Sequence, residues 1–272
     1  MTSWADGFVE TNGIKLHYYR TGGAKPQVVL CHGFSDNALC WTPVARALEP
    51  DYDVIMVDAR CHGKSDAPAD GNHTGAMADD LAGLIQALGL DRPVVAGHSM
   101  GAGYTQQAAA RYPELMRAIV LEDPGWRVEP RTTGDRGDWA ARVREGFEEL
   151  QALPFEEARA KVRQQFNPAV SDEMVGFLTQ SKRELNMAIL NRDFGPDDSW
   201  REIIARIHCP LLLFTGNPER GALVSEAAFT EALKLAPQIE RVHVDTVGHL
   251  IRFEAFETFT GALQAFLARV AA

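Results

Sequence analysis

Five short, continuous apolar runs constrain the fold of this 272-residue chain more than any other feature: residues 28–31, 54–57, 94–96, 118–121 and 211–214. Runs of this length without polar alternation are expected of strands buried on both faces. A sixth run, residues 241–244, is more polar. Helical patterns alternate with these runs, over residues 41–48, 77–88, 104–111 and 225–235. Strand and helix in alternation predict a mostly parallel sheet with helices on both faces. Asn12-Gly13, between the alternating segments around Phe8 and Tyr18, predicts an antiparallel hairpin at the start. The expected architecture is α/β, with an eight-stranded, mostly parallel sheet flanked by helices. The chain is predicted to close with an amphipathic helix over residues 253–270.

The rhythm breaks between the fourth and fifth apolar runs. Residues 127–200 are charged and helical in pattern, with Trp139, Phe147, Phe155, Phe166, Phe177 and Phe194 scattered through them. The segment is too long for one crossover helix. It predicts several helices inserted as a cap (residues 126–200) on a core made of residues 1–125 and 201–272.

Ligands of such sheets bind beyond the carboxyl ends of the strands. The loops there carry the chain's chemistry. Gly97-His98-Ser99-Met100-Gly101 follows the third run and precedes a helix. Glycines flanking a serine at a strand-to-helix turn form a nucleophile elbow, in which strained backbone keeps the hydroxyl exposed. A serine needs a base to take its proton, and the base needs an acid to orient it. His249, after Gly248 and the last strand, stands where a chain order of Ser, acid, His puts the base. Two positions compete for the acid. Glu219 follows the strand at 211–214, and Glu122 or Asp123 follows the strand after the elbow helix; Glu219 is the first candidate. The backbone N–H groups of Phe34 and Met100 are the expected oxyanion donors. Trp126 and the aromatic residues of the cap are the expected walls of an apolar acyl pocket.

Taken together, His32-Gly33-Phe34, Asp58-x-Arg60-x-His62-Gly63-x-Ser65, the elbow, Gly216-x-x-Glu219 and Gly248-His249 resemble the α/β-hydrolase family, capped esterase and lactonase type. The resemblance spans nearly the whole chain. It implies a Ser–acid–His triad, no cofactor and no metal, and a helical lid over the pocket. Cys61 stands where the family's loop usually carries glycine, and Glu219 where it usually carries Asp. Some N-acyl-homoserine lactonases of this fold carry Glu there. The implied activity is hydrolysis of carboxylic esters or lactones through an acyl-enzyme on Ser99. Hydrolysis of C–C bonds and cofactor-free perhydrolysis use the same triad. A ligand receptor on the hydrolase fold is the non-enzymatic alternative.

Composition sets the remaining expectations. The net charge is −10 and no Lys/Arg run occurs, which argues against nucleic acid as a partner. No apolar run approaches the roughly 20 residues that span a bilayer. The N-terminus lacks a basic and then apolar leader pattern. Cys31, Cys40, Cys61 and Cys209 lie far apart, without zinc-ligand spacing. A cytoplasmic protein with reduced thiols and a small-molecule substrate is expected, and nothing in the pattern specifies an oligomeric state.

Overall fold

The computed structural model of the protein describes residues 4–128, 133–168, 170–191 and 199–270. Its strands are β1 (Ala5–Thr11), β2 (Ile14–Arg20), β3 (Gln27–Cys31), β4 (Asp53–Val57), β5 (Val94–His98), β6 (Ala118–Glu122), β7 (Leu211–Gly216) and β8 (Ile239–Val244). They form one eight-stranded sheet in the order β1-β2-β4-β3-β5-β6-β7-β8. β1 pairs antiparallel with β2, and β2 with β4; the other pairings are parallel. The β1–β2 turn is Asn12-Gly13, with φ of 49° and 76°. Two positive φ values in a two-residue loop match the twist of the strands it joins.

The parallel register lines up two apolar rows. Ile55, Val29, Val95, Ile119 and Leu211 run across one face, and Met56, Leu30, Ala96, Val120 and Leu212 across the other. Each row is covered by helices, so these strands show no polar alternation. The first face packs on α2 (Thr74–Ala87) and α3 (Met100–Arg111), through residues such as Leu81, Leu84 and Tyr104. The second packs on α1 (Thr42–Leu48) and α10 (Phe256–Val270), through Val44, Phe259, Leu263 and Phe266. Burying each large apolar side chain contributes about 1.5–3 kcal/mol. The short α9 (Ile251–Glu254) precedes α10, so the expected terminal helix is broken at Ala255 (φ −131°, ψ 52°). α2 begins three residues before Met77, because the His73 imidazole accepts a hydrogen bond from the Ala76 N–H. A histidine cap falls outside the usual Ser, Thr, Asp and Asn signal.

Between β6 and β7 the chain forms α4 (Thr133–Ala152), α5 (Phe155–Arg163), α6 (Asp172–Glu184), a 3₁₀ turn at Met187–Leu190 and α7 (Trp200–Ile204). Several helices thus occupy the predicted insertion, although Phe194 lies outside the described residues. Among the described residues, no helix is long and apolar enough to cross a membrane.

The strand order sets where a ligand can enter. β3 leads to β4 on one side of it and lies beside β5 on the other. The loops after β3 and β5 therefore diverge, and a crevice opens where the order reverses. At this point the backbones nearly touch. A Cβ on Gly97 would collide with the Gly101 carbonyl, and one on Gly101 with the Cys31 carbonyl. Neither obstacle is a flexible side chain. Gly101→Ala is therefore expected to cost about 3 kcal/mol or more, seen as a fall in the chemical denaturation midpoint; an unchanged midpoint would show that this backbone has room to shift.

Candidate active site

Ser99 stands between β5 and α3 with φ 51° and ψ −109°. A non-glycine residue at positive φ is strained, and the surroundings must hold it there. The hold is visible. The Ser99 N–H donates to the Glu122 carbonyl at 2.9 Å, and the Ser99 carbonyl accepts the first helical bond, from Gly103, at 3.0 Å. A serine at this helix position normally caps the helix with its hydroxyl. Ser99 makes no such bond, and its side chain is left for other chemistry.

His249 follows β8 and is half-buried. Its Nδ1 lies 2.6 Å from Asp123 Oδ2. A carboxylate there accepts the Nδ1 proton, so Nε2 is the nitrogen left to accept another. Asp123 is fully buried and also accepts from the Leu223 N–H (2.8 Å) and the Val224 N–H (3.1 Å). Three donors fix its carboxylate. Like Ser99, Asp123 sits at positive φ, 43°, which turns its side chain off the end of β6.

The first candidate for the acid, Glu219, is corrected by this geometry. Glu219 lies in the 3₁₀ turn Pro218–Arg220 and is exposed. Asn217 caps that turn, its side chain accepting from the Glu219 N–H at 2.9 Å. The Arg220 carbonyl packs so tightly on Gly248 that a Cβ there would clash. The turn thus presents backbone, not a carboxylate, to the His249 loop. Glu122, the other alternative, is engaged elsewhere. Its carboxylate accepts from the Arg252 N–H and from Arg252 Nη1, both at 2.8 Å.

Two histidines of the motifs support the backbone. His98, within the elbow, is buried, and its Nε2 donates to the His249 carbonyl at 3.1 Å. Burial, with help from Arg252 and His249, holds its pKa well below the usual histidine range, so it stays neutral. The two rings lie 4.7 Å apart. This contact places the His249 loop against the residue preceding Ser99, a role the sequence pattern left unassigned. His32 is also buried, and burial lowers its pKa. It bonds the Gly33 carbonyl through Nδ1 (2.8 Å) and accepts the Ala59 N–H through Nε2 (3.0 Å). The second bond links the loops after β3 and β4.

Phe34, an expected oxyanion donor, lies in a turn closed by the Asp36 N–H bonding to the Gly33 carbonyl at 3.2 Å. Ser35 within it has φ 64°. Positive φ at the third position is the mark of a type II turn. A Cβ on Gly33 would lie 3.5 Å from Ser99 Cβ, so this turn borders the serine. Met100, the other expected donor, is the first residue of α3, where an N–H has no intrahelical acceptor. Cys61, in a position where the family usually has glycine, has φ 64°. The glycine-like turn is kept despite the side chain.

The Phe34 ring faces His62, Trp139 and Phe147 at centroid distances of 6.2, 5.5 and 6.1 Å. An aromatic cluster thus joins the turn that borders Ser99 to α4, which supplies Trp139 and Phe147. Trp126 is corrected as a pocket wall. It is 0% exposed, its Nε1 donates to Gln106 Oε1 at 2.8 Å, and its ring stacks on Trp200 at 5.3 Å. No face of the indole is left for a ligand. Among the described residues, no group of three His, Cys, Asp or Glu is placed to hold a metal ion.

Comparison with known proteins bears on the family and the fold. Residues 26–256 match the family described as the alpha/beta hydrolase fold. N-formylmaleamate deformylase of Pseudomonas putida is 28% identical, over 97% of this chain and 96% of its own length. 2-(Acetamidomethylene)succinate hydrolase of Mesorhizobium japonicum is 28% identical, over 91% of this chain and 90% of its own. The solved structure of an N-formylmaleamic acid deformylase from Pseudomonas putida S16 superposes with a TM-score of 0.78 at 26% identity, covering 95% of this chain and 100% of that one.

The geometry assigns different consequences to the two candidate acids. Asp123→Asn should lower kcat on a chromogenic ester by about 10³–10⁴-fold, because an amide cannot hold the Nδ1–H tautomer. Glu219→Gln should stay within about twofold of the parent, as surface substitutions usually do. The reverse ranking would return the acid to β7.

Proposed function

Because this chain belongs to the alpha/beta hydrolase fold family, we propose that it is a serine hydrolase of carboxylic acid derivatives, acting on esters or lactones through an acyl-enzyme on Ser99. One observation carries the reading. A strained serine that caps nothing stands beside a histidine loop whose imidazole is held by a buried aspartate. In this mechanism Ser99 Oγ attacks the substrate carbonyl as its proton passes to His249 Nε2. The negative oxygen is bound by the N–H groups of Phe34 and Met100, and α3 adds the positive end of its dipole. The intermediate collapses, and the leaving alkoxide takes the proton from His249. Water, deprotonated by the same imidazole, then hydrolyses the acyl-enzyme and restores Ser99. Asp123 keeps the tautomer and stabilises the imidazolium. No step requires a cofactor.

The helices between β6 and β7 act as the cap in this reading. Phe34, Trp139 and Phe147 give the acyl side an aromatic wall, which supports small to medium apolar acyl groups. A second reading is supported by two relatives similar over 90% or more of their own length, whose names carry a formyl and an acetamido group. In it the same triad hydrolyses an N-acyl bond and His249 protonates a leaving nitrogen.

A panel of a p-nitrophenyl ester series, a lactone and N-formyl and N-acetyl amides separates these readings. Turnover should be highest on an apolar short-chain ester or lactone, and Ser99→Ala should lower it by about 10³-fold or more. Faster turnover of the amides would select the second reading. Undiminished turnover by Ser99→Ala would overturn both.

A further inference from the structure

Four buried charges that take no direct part in the proposed chemistry run in a line across the rim. Glu122 ends β6, Arg252 lies in α9, Asp36 closes the turn that holds Phe34, and Lys182 lies near the end of α6. Arg252 Nη1 meets Glu122 at 2.8 Å, and its Nη2 meets Asp36 at 3.4 Å and Cys40 Sγ at 3.3 Å. Lys182 Nζ lies 3.9 Å from Asp36 and 3.3 Å from the Ser35 hydroxyl. Side-chain exposure is 1% for Glu122 and Arg252, 8% for Asp36 and 10% for Lys182. The guanidinium lies between the rings of Trp41 and Phe253, 4.2 and 4.1 Å from their centroids. Burial works against its charge, but Glu122, Cys40 and Asp36 outweigh that and push its pKa up.

Such a chain is costly to bury and contributes little net stability compared with apolar packing. What it supplies is fixed geometry, and its members sit next to the reacting groups in sequence. Glu122 precedes Asp123, Arg252 follows His249 by three residues, and Asp36 follows Phe34 by two. α6 adds a neutral bond to the same turn, with Ser181 Oγ donating to the Ser35 carbonyl at 3.0 Å. Asn37 Nδ2 donates to Glu184 Oε2 at 3.0 Å. One end of α6 is thus bonded to three consecutive residues behind the Phe34 N–H.

We propose that Arg252 and Lys182 are positioning residues. The buried chain Glu122–Arg252–Asp36–Lys182 holds the oxyanion turn in register with Ser99 and His249, and α6 is a fixed part of the catalytic apparatus. α4 meets the same turn through contacts of the Trp139 and Phe147 rings with Phe34. The inference rests on the serine-hydrolase reading and extends it to residues that never touch substrate.

The test is the rate at which a small alkyl fluorophosphonate inactivates the full-length chain. In that reaction Ser99 Oγ bonds to phosphorus, fluoride leaves, and the serine proton passes to His249. The probe needs the oxyanion donors but little of the acyl pocket. Lys182→Met should slow phosphonylation about 10-fold or more, and lower kcat on the best ester by a similar factor with KM within about threefold, because a 1 Å misplacement of a catalytic group costs about 10²-fold. Lys182→Arg should recover most of both, since it keeps the charge opposite Asp36. Arg252→Lys should behave like Lys182→Met. Arg46→Met removes the exposed Arg46–Glu173 pair between α1 and α6 (2.9 Å) and should change neither rate. A role confined to stability would lower the melting temperature and leave the rate below it unchanged; parental phosphonylation in a folded Lys182→Met protein overturns the proposal. Should Arg252→Lys fail to fold, the Lys182 pair of variants decides alone, since Lys182 lies on α6 at the outer end of the chain of charges. Ser99→Ala distinguishes the two levels. If it is still labelled, the serine-hydrolase reading fails; if it is unlabelled while Lys182→Met reacts at the parental rate, only the positioning role fails.

Discussion

The rim depends on how closely the start of α3 lies against the end of β3. Gly97 and Gly101 have backbone carbonyls where a Cβ would be, so the helix is brought to within backbone contact of residues 31–33. That approach puts the Phe34 turn beside Ser99. It also forces the serine into positive φ, because the chain must reverse from strand to helix in one residue. The sheet makes this possible. β3 and β5 are neighbours at the point where the strand order reverses, and their following loops part to either side.

Around this contact the other loops are tied by polar bonds that are themselves buried. His32 bonds the β3 loop to Ala59, His98 holds the His249 carbonyl, and Asp123 collects the imidazole with two N–H groups of the segment leading to α8 (Glu226–Leu235). Each bond closes a group that would be costly to leave unpaired away from water. A misplaced loop would lose several at once, so the site moves as a unit or not at all. The histidines do this work in the neutral form, since burial lowers the pKa of both His32 and His98. A charged imidazole at either place would carry a proton where the Ala59 amide or the unpartnered His98 Nδ1 now sits.

The carboxylate that meets His249 shows why motif order can mislead. Gly216-Asn217-Pro218-Glu219 has the spacing expected of the acid after β7. Pro218 and the Asn217 cap, however, wind the segment into a 3₁₀ turn that carries Glu219 outward. The β7 loop still serves the site, through the N–H groups of Leu223 and Val224 on Asp123. Asp123 reaches the same imidazole from β6 because its backbone is left-handed, a conformation that aspartate tolerates better than most residues. Glu122, one residue earlier, points the other way along the strand and pairs with Arg252. The two adjacent carboxylates, indistinguishable as a pair in sequence, are separated by the alternation of a strand end.

The class of fold, the parallel core strands, the hairpin, the helices between β6 and β7 and the tight strand-to-helix turn at Ser99 were all legible in the residues. Each is a local signal: apolar runs too short for helices, an Asn-Gly turn, glycines where a backbone must pass. Which carboxylate meets His249 was not legible, because the choice depends on φ at Asp123 and on a turn geometry at Pro218 that spacing does not encode. The packing of Trp126 between Gln106 and Trp200, away from any ligand, was equally hidden. An aromatic residue reads the same in sequence whether it lines a pocket or fills a core, since only the neighbours brought by the fold distinguish them. The buried Arg252 escaped for the same reason: one arginine just before a helical pattern looks solvated until Glu122 at a strand end and Asp36 of the Phe34 turn close around it.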